Sequence, residues 1–315
     1  AAAQPGDTIV VPAGVYAGPL VVDVPGLTLE GQEGAIIDGG GLGDVLTITA
    51  PDVTLRGLTI RHSGKSLDQE HAGITGKAPR LLIENNSLEN VLFGIYLKEA
   101  PDSVLRNNRV TGMDLPISRR GDGIRIWQSP RALVEGNYVY DTRDVVMWFA
   151  SDGVLRGNVI ENGRYGLHFM FSDRQTMEEN VLRSNSVGAY LMYSRGLTMT
   201  NNLLLDNYGP SGYGVALKDV DDVHAAGNRI VNNRVGIYVD NSPREGDAFV
   251  IFEDNLTAYN EIGIEMLPSV TRNVYTNNIF QENREQVAIA GGGELRGNDW
   301  ARGGWGNYWS DYAGF

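Results

Sequence analysis

The side chains with the most distinctive chemistry fall in three short stretches. GLHFMF (166–171) and GAYLMY (188–193) place His168 with Met170, and then Met192, at matching points 22 residues apart, while VVMWF (145–149) supplies Met147 in a similar setting. Thioether and imidazole together are soft and borderline ligands, suited to Cu(I) and poorly suited to Ca²⁺ or Mg²⁺. The same methionines would suit an adaptable docking stripe bordered by Trp127, Phe149 and Tyr190, since Met-rich and exposed apolar surfaces mark interfaces. Plain packing is the third reading, and the residue types alone leave all three open. Whether these groups meet depends on the element that carries them.

That element is a repeat. VLRGNVIENGRYGLHFMFS (154–172) is followed by TMEENVLRSNSVGAYLMYS (176–194), and an asparagine column runs through Asn86, Asn108, Asn137, Asn158, Asn180, Asn202, Asn228, Asn255, Asn278 and Asn298 at spacings of 20 to 29 residues. Each repeat gives a strand before the Asn, a tight turn, and a second strand opened eight positions later by Gly94, Val145, Gly166, Gly188, Gly236, Gly263 or Gln286. Turns of this length are too short for a crossover helix, so each strand pairs with its copy in the next turn. The expected fold is all-β: one right-handed parallel β-helix of about eleven coils. Residues 1–60 form an N-terminal cap and first coils, 81–299 the regular coils of roughly 22 residues, and 300–315 an aromatic C-terminal cap. Asparagines stacked about 4.8 Å apart can donate and accept along the axis, which makes the Asn column structural.

Alternation in the second strand then assigns faces. Ile95 and Leu97, Val146 and Trp148, Leu167 and Phe169, Ala189 and Leu191, and Ile237 and Val239 are expected inside. One outward column reads Tyr96, Arg125, Met147, His168, Tyr190, Ala216, Tyr238 and Glu265; the next reads Lys98, Trp127, Phe149, Met170, Met192, Lys218, Asp240 and Leu267. On this phasing Met147, His168, Met170 and Met192 share one outer face.

Composition narrows the partners. A net charge of −13 argues against nucleic acid or an anionic membrane surface, either of which needs a basic face. With no cysteine there is no disulfide, thiolate site or Cys nucleophile. No apolar run approaches the roughly 20 residues needed to span a bilayer. Insertions at 112–122, with Arg119 and Arg120, and at 203–213 are candidate contact loops, because binding concentrates on loops leaving a regular scaffold. Trp305, Tyr308 and Trp309 in the terminal segment, with Trp300 and Tyr312, can close the apolar end of the stack or meet a partner. Of the remaining histidines, His62 and His71 flank the insertion SGKSLDQEH and could meet on one edge, while His224 stands alone before a strand; each reads more readily as a surface or satisfied histidine than as a ligand.

A glycan-active enzyme is the main alternative, since a hydrolase would need two carboxylates about 5–9 Å apart. Asp221 and Asp222 are the nearest pair, and Lys218 with Asp240 reads as a cross-strand ion pair. A purely structural interaction solenoid is the other alternative.

GRYGLHFMFS (163–172), GAYLMYS (188–194) and GNYWSDYAGF (306–315), on a repeat shared with carbohydrate-binding and sugar-hydrolase solenoids, resemble the NosD family over essentially the whole chain. These are periplasmic accessory proteins of nitrous-oxide reductase maturation. The resemblance implies a non-enzymatic periplasmic role in copper-site assembly, with sulfur as another cargo. It implies three partners: an ABC transporter of ATPase and membrane subunits, a copper chaperone, and the apo-reductase. It also implies an export signal and a further C-terminal segment that this sequence does not contain. Transient Cu(I) on Met147, His168, Met170 and Met192 is inferred from spacing and is not part of the resemblance.

Overall fold

A computed structural model describes residues 3–313. Its fold is an all-β parallel β-helix, about twelve turns in place of the expected eleven. Every turn gives one short strand to each of three sheets, which among the described residues hold 12, 13 and 12 strands. Two compact units divide the chain, Ala1–Val159 and Ile160–Phe315.

In each unit the pairing is parallel and in phase with the repeat. In the first, Leu82–Glu84 pairs with Val104–Arg106, and in the second, Tyr165–Met170 pairs with Val187–Met192. Strands of two to six residues stay short because nearly every turn contains a residue with positive φ, such as Asn107, Asn201 or Asn232. Asn and Asp occupy this region more readily than other side chains. Inward positions are aliphatic and essentially inaccessible, as with Ile95, Leu105, Leu167 and Leu191.

The asparagine column behaves as the repeat demands. In the second unit the side-chain amide of Asn180 donates to Asn202 at 2.9 Å, that of Asn202 to Asn228 at 2.9 Å, and so on through Asn255 and Asn278. Each carbonyl oxygen also accepts the backbone N–H of the preceding rung, and each amide reaches a carbonyl one turn back. Asn86, Asn108, Asn137 and Asn158 form the same ladder in the first unit. The final rung differs from expectation. Asn278 donates to Asn307, whereas Asn298 accepts from Asn273 at a different corner. A second ladder, unforeseen from the sequence, runs through Asn185, Asn207, Asn233, Asn260 and Asn283.

At the C-terminal end, Trp309 stacks on Phe280 at 4.3 Å and Trp300 on Tyr275 at 4.8 Å, continuing the core's aromatic stack through Phe252. Tyr308–Trp309 is itself a strand, paired with Ile279–Gln281. Trp305, Tyr308 and Tyr312 remain exposed. The cap is therefore built by Trp300 and Trp309.

Each ladder amide satisfies buried backbone groups that water cannot reach, so deleting one leaves several orphaned. Asn228→Ala is expected to lower unfolding free energy by about 2–4 kcal/mol, from roughly 1–3 per stranded group. Equilibrium denaturation of the variant checks this; an unchanged midpoint would contradict it.

Candidate functional site

The outer face of the third sheet carries the chemistry, and the second unit holds most of it. His168 is in register with Tyr190, Ala216, Tyr238 and Glu265, and Met170 with Met192, Lys218 and Asp240. Both outward columns of this unit run as the alternation requires. Met170 and Met192 are half-buried and lie side by side on adjacent strands, two residues beyond His168 and Tyr190 on the same face. Strand spacing sets such neighbours about 5 Å apart and next-but-one residues about 7 Å apart. The column then changes character: Lys218 Nζ is held by Asp240 at 2.9 Å, the expected cross-strand ion pair.

Outward does not mean exposed here. His168 is only 7% accessible, although it lies outside the coil. Tyr165 meets its ring edge-on at 4.9 Å, and Tyr190 lies at 6.4 Å with Tyr165 at 5.2 Å from it. A short wall of phenols thus covers the imidazole. It continues with Tyr213 stacked on Tyr238 at 4.3 Å. Burial, assisted by nearby Tyr165, pushes the Tyr190 hydroxyl up to about 12.

In the first unit the phase shifts, and Met147 is a correction. Ile126 pairs with Met147 and Ile124 with Val145, so Met147 points into the coil and is fully buried. The outward residues are Val146 and Trp148, which alternation had placed inside. The cause is local: Gly123 N–H donates to the Asp144 carbonyl, so Asp144 holds the strand-opening position assigned to Val145. Phe149 accordingly falls in the turn, at φ 51° and 47% exposed, stacked on Trp148 at 6.0 Å.

The rest of the first unit's face is occupied by its own chain. The Arg125 guanidinium lies 5.2 Å from Tyr96 and 5.3 Å from Trp148, and Nη1 pairs with Glu70 at 2.9 Å. Trp127, under Lys98 Nζ at 5.1 Å, packs with Leu67 and Leu115 against a buried cluster that includes Phe93, Tyr96 and Met113. The 112–122 insertion therefore folds down onto the sheet. Within it Arg120 Nε donates to the Leu115 carbonyl and faces Asp141, while Arg119 ends a short 3-10 turn in solvent. In the other insertion Tyr208 is 49% exposed and donates to Asn232.

The carboxylates considered for glycan chemistry point to different partners. Asp221 is buried and accepts the backbone N–H groups of Arg244 and Glu245, whereas Asp222 faces the Arg195 guanidinium. His62 lies 3.0 Å from Asp38, His71 2.7 Å from Gln69, and His224 2.6 Å from Glu253. Among the described residues no three His, Asp or Glu side chains gather as metal ligands. A soft donor set of one imidazole and two thioethers is what the outer face offers. It fits a thiophilic monovalent cation and no hard divalent one.

Comparison with known proteins follows from this fold and face. A family model described as "Periplasmic copper-binding protein (NosD)" matches residues 106–314. A protein of Pseudomonas aeruginosa named "Probable ABC transporter binding protein NosD" is 36% identical, over 96% of this chain and 72% of that one. One of the same name from Stutzerimonas stutzeri is 31% identical over 97% and 72%. Among solved structures, the mannuronan C-5 epimerase AlgE6 A-module of Azotobacter vinelandii superposes with a TM-score of 0.70 over 96% of this chain and 90% of that one, at 14% identity. PfbA, a surface adhesin of Streptococcus pneumoniae, gives 0.64 over 92% and 88%, also at 14%. At that identity the likeness concerns the fold alone.

The Tyr190 hydroxyl carries a pH prediction. Its folded-state pKa is raised, so the stabilisation tied to the neutral phenol is complete below the ordinary tyrosine value of about 10. It is lost as pH climbs towards about 12. The denaturation midpoint should fall across that interval and fall less in Tyr190→Phe; identical alkaline profiles would contradict the buried phenol.

Proposed function

The chain belongs to the NosD family of periplasmic copper-binding proteins, and on that premise we propose that it receives Cu(I) on the outer face of its third sheet and passes it on without chemical turnover. The observation that carries this reading is the pairing of Met170 with Met192 in register, beside His168 and its tyrosine wall. Met147, being inside the coil, has no part in it.

The chemistry follows from the donors. Thioethers bind Cu(I) without needing to lose a proton, and a neutral imidazole adds one stronger ligand. Tyr165 and Tyr190 fix the plane of the His168 ring, exclude water from one side and leave the half-buried thioethers as the open side. Such a site holds its cargo weakly enough to yield it to an acceptor with more ligands. The names of the relatives support work beside an ABC transporter, and the family description supports a periplasmic setting. A copper chaperone as donor and apo nitrous-oxide reductase as acceptor complete the proposed route.

Anaerobic Cu(I) titration against a competing chelator tests this reading. Stoichiometric binding is expected, weakened about tenfold or more by His168→Ala or Met170→Ala, a loss of roughly 1.4 kcal/mol or above. Met147→Leu should bind as the parent does. Equal affinity in all four proteins, or no binding by the parent, would overturn the assignment.

A further inference from the structure

Beside the two thioethers the surface changes from apolar to acidic within one turn of chain. Phe171 directly follows Met170, and Tyr193 follows Met192; their rings stack at 5.0 Å, and Phe171 is 45% exposed. They sit at φ 52° in a turn column that continues as Asp219 and Asn241, at φ 50° and 46°. Asn and Asp suit that backbone better than aromatic residues do. The aromatic pair is thus held where the fold gains little from it, each ring one residue past a thioether.

Next to this pair opens a cleft of about 420 Å³, bounded on its far side by the 241–249 loop. Five carboxylates, including Asp173, Asp219 and Asp247, line it against two guanidiniums, those of Arg195 and Arg244. Both guanidiniums are already turned to acids of this chain, Arg195 to Asp222 and Arg244 to Glu245. The cleft therefore presents a mainly acidic lining beside the stacked Phe171 and Tyr193, each one residue along the chain from Met170 or Met192.

We propose that this aromatic pair and cleft form a docking surface for a partner protein's basic loop, which lays an apolar side chain on the Phe171–Tyr193 pair and a Lys or Arg into the carboxylates. Charge complementarity selects the occupant: the lining holds five carboxylates to two guanidiniums, so an acidic segment would be repelled and a basic one attracted. Thioether and aromatic side chains supply the adaptable contact. This inference rests on the proposed transfer role, because it sets the recognition surface directly beside the donors. A partner docked here is aligned with Met170 and Met192 before any cargo moves.

The test uses the full chain and fluorescence anisotropy with three synthetic probes: a peptide of alternating Arg and Leu, its Arg and Ser counterpart, and its Glu and Leu counterpart. The Arg/Leu peptide should bind at least about tenfold tighter than either control. Phe171→Asn with Tyr193→Asn, which installs the residue type that Asn241 already holds in this column, should remove that advantage, as should Asp219→Asn with Asp247→Asn. Glu261→Gln with Glu285→Gln, at another acidic cleft of the same unit, should leave binding unchanged. Equal loss in all three double variants, or equal binding of the two arginine peptides, would reduce the surface to diffuse acidity and overturn the proposal. Cu(I) titration of the Phe171/Tyr193 variant separates the two ideas: retained copper with lost peptide binding is the docking result, whereas copper binding absent from the parent as well would overturn the transfer role instead.

Discussion

The hydrogen bond from one buried asparagine amide to the next is the constraint on which the rest depends. A ladder such as Asn180, Asn202, Asn228, Asn255 and Asn278 lets consecutive turns stack in only one register, because each rung must donate to the next rung and to a buried carbonyl one turn back. A slip by one residue would turn every inward side chain to the surface and strand those amides in apolar surroundings. In the second unit a second ladder, through Asn207 and Asn233, pairs with the first to hold both ends of the short strand between them.

Register in the backbone becomes chemistry on the outer face. Met170 and Met192 are neighbours because residues four positions past the strand-opening glycines Gly166 and Gly188 stay aligned from turn to turn, and His168 meets Tyr190, two positions past them, for the same reason. The scaffold has no need of these side chains: their columns continue as Ala216, Lys218 and Asp240 with the same backbone pairing. A rigid stack with interchangeable outer residues suits the proposed cargo site, since such a site can be loosened or tightened without disturbing the fold. The tyrosines supply the other half. Tyr165 and Tyr190 convert an exposed strand position into a largely buried one, so His168 is ordered before anything binds it.

Most of this was legible in the sequence because the period was strong and the asparagines marked it. The outer columns of the second unit follow directly from alternation after Gly166 and Gly188. Met147 was misplaced because the segment from Asn137 to its second strand is one residue short, a deficit visible only as a spacing of 21 in place of 22. The strand therefore opens at Asp144, and every later residue changes face. Asn298 took the place of Asn307 because the terminal insertion lengthens the last turn beyond the period. The second asparagine ladder had a signal that could have been read, an Asn five positions after each of Asn180, Asn202, Asn228, Asn255 and Asn278. The burial of His168 had none, because it depends on how rings on adjacent strands lean against each other.

Two thioethers and one imidazole on a single outer face are the proposed cargo ligands. X-ray absorption at the copper K-edge of the anaerobically Cu(I)-loaded chain addresses this assignment most directly. Scattering dominated by sulfur with one imidazole nitrogen is expected, with loss of the sulfur contribution in Met170→Leu with Met192→Leu. A shell of nitrogen and oxygen alone, or a sulfur signal that survives both substitutions, would contradict it.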